Sequence, residues 1–126
     1  MVDDMFEVCV EEKFDAAHCL RGYPGNCERL HGHTYRVQAK LRVSELDRFG
    51  MAIDFREVRS ALKSLLEQFD HSYLNDLPEF ADKNPSAENI AKAIFTALKN
   101  RFGAAVYIVT VWETDTSSAS YWEEQQ

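Results

Sequence analysis

The sequence predicts an α+β domain in which two helices cover one face of a largely antiparallel sheet. Three observations carry that reading. Residues 33–43, H-T-Y-R-V-Q-A-K-L-R-V, alternate apolar and polar side chains, as a half-buried strand does. The apolar period then lengthens to about 3.6 residues across two consecutive stretches. After them comes V-Y-I-V-T-V-W-E (106–113), a β-branched and aromatic run with strong strand preference. The order is ββααββ, the layout of helices packed on one side of a sheet.

Taken in order, residues 6–14 place Phe6, Val8, Val10 and Phe14 on one side of a first strand. Cys9 reads as a small buried hydrophobe or a strand-face residue. In the second strand Tyr35, Val37, Ala39, Leu41 and Val43 share a face, and Thr34, Arg36, Gln38, Lys40 and Arg42 share the other. The first helix carries the stripe Phe55, Val58, Leu62, Leu65, Leu66 and Phe69. Asp54 is its predicted cap with Glu57 three residues on, and Ile53 can staple to Val58. A second helix follows Pro85-Ser86, turns Ala87, Ile90, Ala91, Ile94, Leu98 and Phe102 inward, and stops at Gly103. The strand at 106–113 is apolar on both faces, and S-A-S-Y-W (118–122) returns as a short final strand. Four strands leave exposed edges and can leave an apolar second face, which either loops or association of copies must hide.

The 126 residues form one domain, 1–126, with no repeat, linker or low-complexity segment, and are long enough for a core without staples. A net charge of −7 argues against general binding to nucleic acid or anionic membranes. No apolar run approaches the roughly 20 residues of a membrane span. The acidic start M-V-D-D-M-F-E-V is unlike a secretory signal. Three cysteines without framework spacing fit a reducing, cytoplasmic setting.

The chain has four histidines: His18, His31, His33 and His71. His31 and His33 stand two apart at a strand start and so project from one face, a spacing that presents two imidazoles to one ion. Equally, they can be ordinary strand-end residues. His18 closes F-D-A-A-H on the side of Phe14 and Val10. If the first two strands pair, His18 leaves the first near where the other two enter the second. Three imidazoles then converge, which suits a catalytic zinc with an open fourth position. Cys27 or Cys19 can instead close the site as a fourth, structural ligand.

Cys27 lies in a loop punctuated by Gly and Pro, where an exposed thiol can act as base or nucleophile once ionised. Cys19 reads as packing. His71, with Asp70 before it, is the histidine left over from the triad; a Cys/His/Asp constellation can form across the fold, or His71 simply caps a helix end. Glu113 ends an apolar strand, where its two oxygens can accept a bidentate pair of N–H bonds. It can also be a strand end meeting solvent.

Together F-D-A-A-H, C-E-R-L-H-G-H, G-M-A-I-D-F, F-D-H-S-Y-L-N, N-P-S-A-E-N and W-E-T-D, in this order, resemble the 6-pyruvoyltetrahydropterin synthase family over about Phe6 to Trp122. The nearest likeness is its bacterial queuosine branch, the 6-carboxytetrahydropterin synthases. The resemblance implies a tunnelling fold (T-fold), a four-stranded antiparallel sheet with two helices between strands two and three, assembled as trimers pairing into hexamers. It implies Zn2+ held by His18, His31 and His33, Cys27 as thiolate base, and Asp70 and His71 as a proton relay. Glu113 would anchor the pterin ring, and active sites would lie between subunits. The implied substrate is 7,8-dihydroneopterin triphosphate, converted to 6-carboxy-5,6,7,8-tetrahydropterin with loss of acetaldehyde and triphosphate. Glu28, directly after Cys27, leaves room for cleavage to 6-hydroxymethyldihydropterin for folate, and the pyruvoyl synthase reaction is a further option. Arg21, Arg29 or lysines of a neighbouring subunit are candidates for the phosphates. From a different class, a closed Cys/His3 site would make the chain a metal-stabilised binding module without turnover.

Overall fold

The computed structural model of the chain describes residues 2–25 and 29–124. Strands β1 (Phe6–His18) and β2 (His31–Val43) pair antiparallel along their whole length, from Phe6 opposite Val43 to His18 opposite His31. Helix α1 (Phe55–Leu66) follows, then a two-residue strand β3 (Ser72–Tyr73) and helix α2 (Ala87–Phe102). Strands β4 (Val106–Thr114) and β5 (Ser117–Tyr121) complete the chain.

The sheet runs β3-β1-β2-β4-β5. It therefore has five strands rather than the expected four, and it is mixed, because β3 pairs parallel with β1 at Ala16–Ser72 and Ala17–Tyr73. Serine and tyrosine between two turns carry no periodicity, and this strand exists only because the edge of β1 is there to receive it.

Alternation sorts the side chains as expected. Val8, Val10 and Phe14 of β1, Tyr35, Val37, Ala39 and Leu41 of β2, and Val109 and Val111 of β4 are buried. Helix α1 packs on β1, and α2 on β4 and β5, with Val58, Leu62, Ile90, Ile94 and Leu98 at 2% exposure or less. Each such side chain contributes roughly 1.5–3 kcal/mol by leaving water. The ends of the apolar stripes are less buried than the pattern implies: Phe6 is 37% and Phe55 58% exposed. Each is the first residue of its element.

The helix boundaries follow from their caps. The Asp54 carboxylate accepts from the Arg56 N–H at 2.8 Å, and the Ser86 hydroxyl accepts from the Asn89 N–H at 3.2 Å. Gly103 ends α2 with φ of 62°, a conformation glycine adopts without a Cβ penalty.

The second sheet face is polar, not apolar. Arg36 pairs with Glu11 at 3.4 Å, and Lys40 and Arg42 with Glu7 at 3.8 and 3.7 Å. Ile108 and Trp112 are the apolar contribution of β4, and the Arg36 guanidinium covers the Trp112 ring at 3.8 Å. Cys9, expected buried or on a strand face, stands exposed on this face. No helix among the described residues is long and apolar enough to cross a membrane.

Candidate active site

The β1–β2 register sets His18 opposite His31 and Ala16 opposite His33. Because side chains alternate, all three imidazoles point to the same side at the end of this strand pair. Ring centroids are 4.5 Å apart for His18–His31, 4.9 Å for His31–His33 and 5.1 Å for His18–His33, each pair edge-on. One ring nitrogen from each lies within 4.8 Å of the other two. His18 is 1% exposed. Burial holds the His18 and His33 imidazoles below the ordinary histidine value, so the rings are neutral near pH 7.

Hydrogen bonds decide which nitrogens face inward. His18 Nδ1 lies 2.7 Å from the Pro85 carbonyl and His31 Nδ1 2.7 Å from the Arg29 carbonyl. A carbonyl only accepts, so both Nδ1 atoms carry the proton and both Nε2 atoms keep a lone pair. Those two Nε2 atoms stand 2.9 Å apart. Two lone pairs at that separation repel unless a cation lies between them. The donor set therefore fits a divalent metal, and neutral imidazoles with their far N–H bonded to carbonyls are what a zinc site uses.

Glu113 reaches the same place from β4, with Oε1 3.8 Å from His18 Nε2. The pairing of β4 with β5 slips between Trp112 and Thr114, which leaves Glu113 unpaired on that side. Such bulges re-aim a side chain, and they concentrate beside functional sites. Beneath the imidazoles Tyr35 stacks on Phe14 at 4.8 Å and meets His33 edge-on at 5.4 Å. Burial, and then the nearby Glu113 carboxylate, push its phenol up. Among the described residues its hydroxyl has no hydrogen-bond partner.

Asp70 and His71 form a second cluster, separate from the three imidazoles. Asp70 Oδ2 lies 2.9 Å from His71 Nδ1 within the one chain, and the His71 side chain is 80% exposed. The Asp15 N–H donates to Asp70 Oδ1 at 2.9 Å; this bond, followed by that from His71, holds the Asp70 carboxyl below the usual carboxylate range. His71 has φ of 56°, a conformation rare outside glycine that is stabilised here by its N–H donating to the Asp15 carbonyl at 2.6 Å. His71, Asp15, Gly32, His33 and Thr34 border a shallow basin of about 540 Å³.

The other expected residues divide. Cys19 is not in the imidazole cluster; its thiol contacts the Tyr73 hydroxyl at 3.1 Å, while the Asn75 side chain bonds both its backbone N–H and its carbonyl. Arg21 is engaged structurally. Its guanidinium donates to the carbonyls of Asn75, Phe80 and Lys83 at 3.0–3.1 Å, which leaves it poorly placed to meet a phosphate. Cys27 and Glu28 lie outside the described residues. What the sequence reading missed is the part of Asn75, Asn84 and Arg21 in fastening the end of β1 to the 74–84 segment. Buried Asn75 is the one signal for it, and only the fold shows that burial.

Comparison with known proteins identifies the family. Residues 7–124 match the family described as 6-pyruvoyl tetrahydropterin synthase. A 6-carboxy-5,6,7,8-tetrahydropterin synthase of Haemophilus influenzae is 33% identical, with 94% of this chain and 100% of that protein covered. One of Synechocystis is 35% identical over 93% of each chain. Among solved structures, the Caenorhabditis elegans 6-pyruvoyl tetrahydropterin synthase superposes with a TM-score of 0.86 at 27% identity, covering 98% of this chain and 100% of that one. The Plasmodium falciparum protein, TM-score 0.75 at 23% identity over 94% and 97%, shares the fold. With its T-fold, its clustered imidazoles and a match over nearly its whole length, the chain belongs to the 6-pyruvoyl tetrahydropterin synthase family of pterin synthases.

Proposed function

We propose that the chain is a zinc-dependent carbon–carbon lyase converting 7,8-dihydroneopterin triphosphate to 6-carboxy-5,6,7,8-tetrahydropterin, with release of acetaldehyde and triphosphate. The observation that carries this is the set of three imidazoles that bring one ring nitrogen each together, His18 and His31 through Nε2, in a chain whose relatives are named for that product. His18, His31 and His33 would hold the ion, and Cys27 is left free of that duty. Zinc bound there supplies Lewis acidity toward a hydroxylated substrate side chain.

The chain's own residues do the rest. Glu113, aimed by its bulge toward the imidazoles, accepts a pair of N–H bonds from the pterin edge and fixes the ring's orientation. Cys27, as thiolate, takes a proton from a side-chain carbon, and His71 returns one. Asp70 holds the His71 ring with Nδ1 protonated, so Nε2 is the nitrogen that exchanges protons. A reducing cytoplasm, which we propose as the setting, keeps such a thiol available.

The dyad stands exposed at a sheet edge and outside the imidazole cluster. That placement supports an active site completed between copies, in trimers that pair into hexamers. Substituting Cys27→Ala tests the assignment: zinc content stays at the wild-type level while turnover falls roughly 10²–10⁴-fold. Loss of zinc in that variant would instead make Cys27 a ligand and favour the binding module.

A further inference from the structure

We propose that Asp15 is a positioning residue of the Asp70–His71 dyad, its carboxylate serving as a second, fixed negative charge beside the His71 imidazole. The catalytic part of this inference rests on the function proposed above.

Asp15 is where the dyad joins the metal-bearing strands. Its N–H is taken by Asp70 Oδ1 at 2.9 Å and its carbonyl by the His71 N–H at 2.6 Å. Its carboxylate accepts from the Thr34 hydroxyl, and Thr34 follows His33 on β2. One residue thus ties the turn carrying His71 to the strand carrying two of the imidazoles. The anchoring is needed, because His71 is 80% exposed and no packing holds its ring.

The side chain adds charge to that anchoring. One oxygen of Asp15, one of Asp70 and one ring nitrogen of His71 lie within 4.8 Å of each other. Two carboxylates so close repel, but each has its own donors: Thr34 for Asp15, and the Asp15 N–H with His71 Nδ1 for Asp70. Both carboxylates therefore face the one imidazole, each held by its own donors. A ring that carries a proton during turnover gains from that field. The other titratable group bordering the basin is His33. Beyond Asp70, Glu12, Lys13, Lys63 and Glu67 surround a separate depression, and their charges cancel.

Asp15→Asn removes the charge and keeps an oxygen for Thr34, so the strand pairing is preserved. A unit charge within 4.8 Å in an aqueous setting is worth about fivefold in rate. The test compares the His71 Nδ1–H resonance of wild type and variant by NMR at one fixed pH in the zinc-loaded protein and measures kcat and KM in parallel. Expected are a displaced His71 Nδ1–H resonance, kcat down about fivefold, KM within about twofold, and recovery of at least half of kcat in Asp15→Glu. An unmoved His71 resonance overturns the inference, as does a loss confined to KM. If the wild-type protein does not turn over dihydroneopterin triphosphate, the proposed function falls, while the NMR comparison still decides the role of Asp15.

Discussion

His18 joins two requirements that usually conflict. It belongs to the buried face of β1, and it keeps an unshared lone pair toward His31 because the Pro85 carbonyl takes its only proton. The consequence for pH follows from sign. Burial lowers the His18 and His33 values below that of an unfolded histidine, near 6.5. Between the lowered value and 6.5 the unfolded chain binds more protons than the folded one, so stability rises with pH there. The metal-free protein should therefore lose melting temperature progressively as pH falls from about 7 to 5. Asp70, whose value is also lowered, extends the loss below about pH 4. Thermal scans in chelator across that range check this, and a flat profile above pH 5 would contradict the burial of neutral imidazoles. The histidine set was readable in the sequence because strand parity is a strict rule: H-x-H and the parity of His18 with Phe14 placed all three. The link from Asp15 to the Asp70–His71 turn and the left-handed backbone of His71 were not readable, since both rest on hydrogen bonds across 55 or more residues of sequence.

Among the elements, α2 reaches the imidazole cluster through the residue just before its N-cap. Pro85, whose carbonyl fixes His18, immediately precedes the capping Ser86. Loss of the cap in Ser86→Ala should cost about 1 kcal/mol of stability, read as a shift in the denaturant midpoint with unchanged slope. A variant as stable as the wild type would show that the 3.2 Å bond contributes nothing. The helices were legible from periodicity and caps, and β2 from its alternation. The irregularities in the sheet were not. The bulge at Glu113 depends on how β4 meets β5, and β3 forms only against the edge of β1. The expectation of an apolar second face failed for a related reason: Ile108 and Trp112 suggested it, but the register sets them among charged residues of β1 and β2.

On the scale of the whole molecule, the sheet ends in two open edges. Strand β3 covers only Ala16 and Ala17 of β1, and β5 is the opposite edge. Unpaired edges of this length need hiding, and pairing with another chain is one way to do it. We expect light scattering at micromolar concentration to report trimers or hexamers, and a monomer there would exclude an active site shared between copies. The central claim is chemical and is tested most directly by product analysis. Zinc-loaded protein incubated with 7,8-dihydroneopterin triphosphate should form 6-carboxy-5,6,7,8-tetrahydropterin and acetaldehyde in equal amounts. Formation of 6-hydroxymethyldihydropterin without acetaldehyde, or no conversion at all, would contradict it.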